Sequence, residues 1–390
     1  MLFYDKILSG NRNISCGTCH HHDLAGGDGL PLGIGEGGVG VGPERTAGDG
    51  ADRIRKRIPR NAPALWNLGH RSVRVLFHDG RLSVSDRYDN GFDSPAEEWL
   101  PPGLSSLLAA QSLFPMTSQF EMAGNLEEND VTGAVHVRID YGWPILAKRV
   151  RTIPEYGTLF VDAFDHVEEP ADVTIVEIGN ALGAFIASEW QSYDSPYDQW
   201  LEGRSLPDDA ERGRVLFFET ARCGACHSGP LFTDQEFHAM QVPGFGPGRT
   251  RRWDPMPRDV GRMGETDRPE DAYRFRTPSL RNVALTAPYG HNGAFPTLES
   301  FVAYHTGNGD WAPDMVALPE VPWLAAADFS IRADRLEMAR QAGPDERHHV
   351  RLSESEINDL KAFLEALTGA TAMQRPLGRP VAVPSGLPVD

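Results

Sequence analysis

Two short stretches decide the fold of this 390-residue chain: Cys16-Gly17-Thr18-Cys19-His20 and Cys223-Gly224-Ala225-Cys226-His227. Both have the pattern Cys-x-x-Cys-His, the attachment signature of c-type haem, in which two thiols bond the porphyrin and the histidine binds the iron. A redox dithiol does not need the histidine, and a zinc site usually contains more cysteines. The four cysteines of the chain all lie in these motifs. The sequence therefore predicts two covalently bound haem c groups, with His20 and His227 as iron ligands.

The two motifs lie in opposite halves of the chain, too far apart for a single cytochrome fold. Each follows a similar apolar stretch, Leu2-Phe3-Tyr4 before the first and Leu216-Phe217-Phe218 before the second, which indicates a distant internal repeat. We expect two cytochrome c-like haem domains, one of residues 1–195 and one of residues 196–390.

The remaining pattern predicts a mostly α fold with long loops. Apolar residues recur at helical spacing after Asp172, which we expect to cap that helix, and Ser353 to Glu356 form a capping box before another. The chain also contains 40 glycines and 30 prolines, which break helices. Residues 33–50 are glycine-rich and predict a flexible surface insertion without a core. The proline-rich residues after Thr368 predict an extended arm over the surface.

Charge and hydropathy limit the partners of the chain. Its formal net charge is −18, so nucleic acid is excluded as a partner by repulsion, and a protein with a basic patch is favoured. No apolar run is long enough for a membrane span. Because haem is attached to such motifs outside the bacterial cytoplasm, we expect a periplasmic protein. Residues 1–10 have no signal-peptide features, so we expect the signal peptide to be missing from this sequence.

From residue 2 to about residue 368, the chain resembles the bacterial di-haem cytochrome c peroxidases and the related MauG enzymes. The strings that carry the resemblance, besides the two haem motifs, are Arg60-Asn61-Ala62-Pro63, Phe77-His78-Asp79-Gly80-Arg81, Phe120-Glu121-Met122 and residues 277–293. The haem motifs and residues 277–293 are the most specific of these.

The resemblance implies that the first haem is the peroxidatic one and that a glutamate stands over its open face. Glu121 matches that glutamate, whereas taken alone it is one of many acidic residues. Cleavage of the peroxide O–O bond needs a base that takes a proton from one oxygen and returns it to the other, and a carboxylate can do both. We therefore expect Glu121 to be catalytic.

The sixth ligand of the second haem departs from the family pattern. Relatives have Met or Tyr eight residues after a Thr-Leu-Glu string, and the same count from Thr297 leads to His305. The resemblance therefore implies ligation by His227 and His305, with the neighbouring Tyr304 as the alternative. Two imidazoles give a lower potential than a His/Met pair.

Three further roles are implied by the resemblance. The family often has a tryptophan between the haems at the position of His78, so His78 is expected to relay electrons or to form hydrogen bonds there, unless electrons pass without a relay. Arg81 is expected to pair with a haem propionate. Asn67, Thr286 and Pro288 match the positions that bind one Ca²⁺ through oxygen atoms, the ligands that calcium prefers.

Three functions remain open at this point. The first is a peroxidase that reduces hydrogen peroxide with electrons from a small redox protein. The second is MauG-like oxidation of a partner protein or an organic molecule, and the third is a di-haem cytochrome that only transfers electrons. Glu121, and the absence of an evident second ligand for the first haem, favour an enzyme. The need for prior reduction of the second haem is left open, and a homodimer is a further possibility that the resemblance suggests.

Overall fold

Short helices joined by long irregular segments build this molecule. The computed structural model describes residues 1–249 and 256–390, and it is 40% helix and 5% strand. The predicted mostly α fold is thus confirmed. The α-helices of the described residues are α1 (Cys16–Cys19), α2 (Leu107–Ser112), α3 (Asp130–Val137), α4 (Gly142–Arg151), α5 (Pro154–Ala163), α6 (Ile175–Glu189), α7 (Pro196–Leu201), α8 (Asp208–Val215), α9 (Met263–Thr266), α10 (Leu298–His305), α11 (Ala325–Asp328), α12 (Arg335–Gln341) and α13 (Glu354–Glu365).

Two small antiparallel sheets hold loops in place. Their strands are β1 (Val75–Leu76), β2 (Leu82–Val84), β3 (Phe92–Asp93), β4 (Phe237–His238) and β5 (Phe275–Arg276). The first sheet has the order β1-β2-β3, with Leu76 opposite Leu82, so residues 77–81 form the turn of its first hairpin. In the second sheet β4 pairs with β5, with Phe237 opposite Arg276. The sheets therefore position two of the strings that the sequence analysis singled out.

Two large hydrophobic cores lie in the two halves of the chain. The larger contains buried side chains from residues 2–190 together with Ala372, and the second contains Leu32 and side chains from residues 217–367. Helices pack closely in both: a Cβ at Gly183 of α6 would lie 2.7 Å from the Ala109 nitrogen of α2, and one at Gly213 of α8 would lie 1.8 Å from the Asp359 oxygen of α13. The boundary at residue 195 stays a prediction.

The helix caps correct one sequence expectation. Helix α6 begins after Thr174. The Thr174 hydroxyl accepts a hydrogen bond from the Val176 N–H at 3.1 Å, and the Thr174 backbone N–H donates to the Glu177 carboxylate. Asp172 instead ends a separate 3-10 turn, so the prediction that it caps α6 is wrong. The reason is that a capping box at Thr174 satisfies two N–H groups at once. The capping box of Ser353 and Glu356 at α13 is confirmed.

The glycine-rich segment 33–50 is packed, and the prediction that it lacks a core is wrong. Ile34 is fully buried, and together with Ala47 it joins a small cluster that includes Val321. The buried side chain of Arg45 donates to the carbonyl oxygens of Ile34 and Gly35, so the irregular backbone is satisfied internally. A Cβ at Gly35 would lie 1.9 Å from the Phe120 oxygen, so glycine permits this close approach.

The segment after Thr368 forms one 3-10 turn, Ala370–Met373, and otherwise runs as irregular chain back to the first half. Ala372 is buried in the larger core, and the Ser385 hydroxyl donates to Asp5 at 2.6 Å. At its far end, Asp390 accepts a hydrogen bond from Thr18 of α1 at 2.5 Å. The arm is extended as expected, and it is anchored at several points. Among the described residues, no helix has the length and apolar character needed to cross a membrane.

Candidate haem sites

The first motif forms the short helix α1, held by a capping box between Ser15 and Thr18. Both cysteines are free, and burial raises the pKa of the Cys16 thiol to about 12. The His20 Nδ1 atom lies 2.8 Å from the Gly26 carbonyl oxygen. Since a carbonyl only accepts, Nδ1 must carry the proton, and Nε2 is left as the metal-binding atom. These residues fit a c-type haem.

The second motif repeats this arrangement in a different setting. His227 Nδ1 lies 3.0 Å from the Phe232 carbonyl oxygen, so its Nε2 is likewise available for iron. Burial raises the pKa of Cys223 to about 12. Exposure separates the two motifs: the first is covered by Tyr4, which lies against Gly17, whereas Ala225 of the second is exposed. The second motif therefore lies closer to solvent.

Glu121 lies on a π-helical turn, Gln119–Ala123, beside the first motif. The pKa of Cys19 is raised to about 12. Burial is the main cause, and the negative charges of Asp28 and Glu121 contribute to the same rise. Burial lowers the pKa of Arg81, while Asp79 and Glu121 oppose that change. The carboxylate of Glu121 is thus near both Cys19 and Arg81. Among the described residues it has no hydrogen bond or ion pair, so it is free to act on a ligand.

His305 faces the second motif from the last turn of α10. Burial chiefly, and then the neighbouring His227, lower the pKa of His305 to about 4. The Nδ1 atom of His305 lies 3.2 Å from the Phe301 oxygen, which leaves Nε2 for a metal. The Tyr304 hydroxyl donates to the Gln241 oxygen at 2.6 Å and is thereby committed to the backbone. The geometry favours His305 over Tyr304, and the ligand itself stays a prediction.

Comparisons with known proteins assign the chain to a family. The sequence model of the di-haem cytochrome c peroxidases matches residues 1–205. The chain belongs to this family. It is 28% identical over 376 residues to the methylamine utilization protein MauG of Methylorubrum extorquens, covering 95% of this chain and 77% of the relative. It is 28% identical over 366 residues to the cytochrome-c peroxidase IdrP2 of Pseudomonas sp. strain SCT, covering 88% and 82%.

A solved structure agrees with this assignment. The crystal structure of a MauG-like protein associated with microbial copper homeostasis has a TM-score of 0.61 and 27% identity, and the match covers 96% of this chain and 89% of that one. Since both peroxidases and MauG proteins are found at similar identity, membership of the di-haem peroxidase family leaves the individual activity to be established. The family implies two c-type haems.

A buried ionic cluster joins the two halves of the chain, and its central residue is Asp79, for which the sequence alone predicted no role. The Asp79 carboxylate is fully buried and lies 2.7 Å from Arg60, 3.1 Å from Arg81 and 3.2 Å from Arg249. Burial would raise the pKa of Asp79, but the three guanidinium groups hold it well below its ordinary value. Arg60 is bonded in addition to Asp259, at 2.7 Å. In the sequence, the role of Asp79 is indicated only by its position inside the Phe77 to Arg81 string.

The sequence-predicted residues His78 and Arg81 lie in this cluster. The Arg276 N–H donates to the His78 oxygen at 2.7 Å, so residue 78 is at the contact between the two halves. Burial lowers the pKa of His78 to about 3, and Arg60 and His291 add to this effect. Arg81 donates to Asp79 and stacks 3.5 Å above the Phe77 ring. A role of Arg81 toward a propionate and a relay role of His78 stay predictions.

The residues predicted to bind calcium have other partners. The Asn67 side-chain oxygen accepts the Ser192 N–H at 2.7 Å, and its nitrogen donates to the Ser192 oxygen at 2.9 Å. The Thr286 hydroxyl donates to the Val283 oxygen at 3.0 Å. In the described part of the chain, no hydrogen bond joins Asn67 to Thr286 or Pro288. Since an amide oxygen has a second lone pair, Asn67 can still bind a cation, and calcium stays a prediction.

Proposed function

We propose that this chain is a periplasmic peroxidase that reduces hydrogen peroxide at the haem bound by His20, using electrons that arrive through the haem bound by His227. The observation that carries this proposal is the difference between the two motifs. An unpaired carboxylate, Glu121, lies beside the first motif, whereas an imidazole, His305, faces His227 at the second. An iron with six protein ligands transfers electrons, and one with an open position can bind peroxide.

Glu121 is proposed to move the proton during cleavage of the peroxide. The haem, when bound, supplies the open coordination position and the electrons. The Glu121 carboxylate takes the proton from one peroxide oxygen and gives it to the other, which leaves as water. In balance, one hydrogen peroxide, two electrons and two protons give two water molecules.

Electrons are proposed to reach the chain at the second motif. The residues around it, including Arg222, Ala225 and Ser228, are exposed, so a donor can come close to that haem. The net charge of −18 favours a small redox protein with a basic patch. The hydrogen bond between Arg276 and His78, together with the Asp79 cluster, keeps the two halves at a fixed separation, which electron transfer between the haems requires.

A MauG-like activity is the second candidate. Here the electrons come from a partner protein or an organic molecule that is oxidised, and hydrogen peroxide is again reduced to two water molecules. The similarity to MauG over 95% of the chain supports this candidate. So does His305, because two imidazole ligands lower the potential of the second haem and so favour its oxidised state.

Peroxide consumption by the purified di-haem protein tests the proposal. With a reduced redox protein as donor, we expect turnover in the parent chain and a loss of about 100-fold or more in Glu121→Gln, as expected for a general acid–base. Glu127→Gln, six residues along and exposed, is the matched control and should leave turnover unchanged. Equal turnover in Glu121→Gln and Glu127→Gln would remove Glu121 from the mechanism.

Electron paramagnetic resonance separates the enzymes from a pure electron-transfer protein. We expect one high-spin and one low-spin haem in the oxidised protein, with cyanide binding at one site. If both haems are low-spin, and neither reacts with peroxide even after one-electron reduction, both enzyme proposals fail. If peroxide is consumed only with an oxidisable partner protein or organic molecule, the MauG-like activity replaces the peroxidase.

A further inference from the structure

A cleft of about 230 Å³ lies where the segment after the glycine-rich stretch meets the second half of the chain. Lys56 and Arg57 contribute its two cationic side chains, and Pro247, Pro257 and Leu324 contribute apolar surface. Asp328, at the end of α11, completes the charged part. The cleft is distinct from both haem motifs, and the proposed peroxidase mechanism does not use it.

Arg57 has an unused hydrogen-bond donor although its side chain is buried. Its Nε and Nη2 atoms donate to the two carboxylate oxygens of Asp328 at 2.8 and 2.9 Å, and Nη2 also donates to the Pro319 oxygen. Its Nη1 atom is buried and, within the described part of the chain, has no hydrogen-bond partner. Leaving such a donor unpaired is unfavourable, so an acceptor at this position is favoured.

Lys56 adds an uncompensated positive charge to the same cleft. Among the described residues its ammonium group has no ion pair or hydrogen bond, and it lies 5.5 Å from the centre of the Phe120 ring. The Arg57 and Asp328 charges cancel, so Lys56 leaves the described lining residues with a net charge of one positive unit. Burial lowers the pKa of Lys56, in agreement with a partly desolvated ammonium.

We propose that this cleft binds a small organic carboxylate with an apolar body. The carboxylate accepts hydrogen bonds from the Lys56 ammonium and from Arg57 Nη1, and the body lies against Pro247, Pro257 and Leu324. A charged acceptor satisfies the two unused donors together, and such charge-assisted hydrogen bonds are stronger than neutral ones. The apolar walls favour an organic anion over a hydrated inorganic one. The volume suits a molecule with a single ring.

The position of the cleft connects it with the peroxide site. Phe120 directly precedes Glu121, and the ring of Phe120 lies beside Lys56. The cleft thus reaches the residue that precedes the proposed catalytic one in the chain. Its use as the oxidisable organic molecule rests on the proposed function, whereas its binding does not.

Calorimetric titration of the resting di-haem protein with benzoate, without peroxide, tests the binding site. We expect saturable binding at one site, weakened about tenfold or more in Lys56→Gln through loss of the charged partner. Arg55→Gln is the matched control, because Arg55 is exposed and its partner is Glu128. Benzyl alcohol, a neutral probe of similar shape, should bind more weakly than benzoate.

A second variant keeps the binding site testable if Lys56→Gln does not fold. Ala327→Trp fills the cleft from the exposed helix α11 while leaving Lys56 and Arg57 unchanged in the sequence, and it should also abolish benzoate binding. Equal binding by the parent chain and Lys56→Gln, or no binding to the parent chain, would overturn the proposed site. If the parent chain binds benzoate but does not consume peroxide, the proposed function fails and the proposed binding site stands.

Discussion

Replacement of Asp79 by asparagine should weaken the buried ionic link between the two halves of the chain. Asp79 is fully buried and lies within 3.2 Å of three guanidinium groups. In Asp79→Asn, Arg60 keeps Asp259 and Arg249 keeps Glu265. Arg81, in contrast, loses its only carboxylate among the described residues. Removing one partner of a buried ion pair costs about 3–5 kcal/mol, and the retained acids favour the lower end, about 3 kcal/mol.

Equilibrium unfolding in urea at neutral pH, followed by circular dichroism in the far ultraviolet and in the haem band, measures this cost. Asp93→Asn is the control, because Asp93 pairs with Arg87 at 3.4 Å and their side chains are 42% and 61% exposed. Such a surface pair contributes little to the free energy of unfolding. If Asp79→Asn lowers the free energy of unfolding no more than Asp93→Asn does, the cluster does not join the two halves.

The pH dependence of the same difference checks the cause. The folded-state pKa of Asp79 lies below its ordinary value of 3.8, so its stabilising contribution is complete above that value and is lost as pH falls through the folded pKa. The difference between the parent chain and Asp79→Asn should therefore be constant in neutral and weakly acidic solution. A difference that disappears before pH reaches 3.8 would assign the effect to another group.

Three further outcomes follow from the structure. His305→Met should introduce the long-wavelength absorption band of methionine-ligated ferric haem while Tyr304→Phe should not, and a spectrum unchanged in His305→Met would show that residue 305 is not the ligand. The pKa of His78, about 3 when folded against 6.5 when unfolded, means that its stability contribution is complete above pH 6.5 and declines below it. Between about pH 6.5 and about pH 4.5, the parent chain should therefore lose roughly 1–2 kcal/mol more than His78→Gln in urea unfolding, and parallel losses would contradict this. Gly213→Ala should lower the free energy of unfolding by about 1–3 kcal/mol, since its Cβ would lie 1.8 Å from the Asp359 oxygen, whereas Gly133→Ala in the open face of α3 should stabilise by about 0.5–1 kcal/mol. Equal thermal stability of the two glycine variants would refute the packing argument.

The haem motifs were predictable from sequence because their chemistry is local. Cysteine, cysteine and histidine must lie within five residues, so His20 and His227 could be named at once. Which carbonyl orients each ring, Gly26 or Phe232, depends on the path of the following loop, and no residue pattern encodes it. His305 could be named by counting from a family string, but its choice over Tyr304 needed the hydrogen bond to Gln241.

The Asp79 cluster and the packing of residues 33–50 were beyond sequence reasoning. In both cases the partners are distant along the chain: Asp79 contacts Arg249, and Ile34 packs in the same cluster as Val321. The composition of the glycine-rich segment is typical of a surface loop. It is packed because Arg45 satisfies its carbonyl groups, and a single charged residue in a loop does not reveal such a role.

The arm formed by residues 369–390 gives the protein an order of assembly. Thr18 and Asp390 are hydrogen-bonded although 372 positions separate them, and Ala372 completes a core built from residues 2–190. The arm can therefore cover the first haem motif only when the whole second half of the chain is also present. Until the arm is in place, the side of α1 that it contacts through Thr18 stays uncovered. Contacts of such long sequence separation also form slowly, so the first half reaches its final packing last.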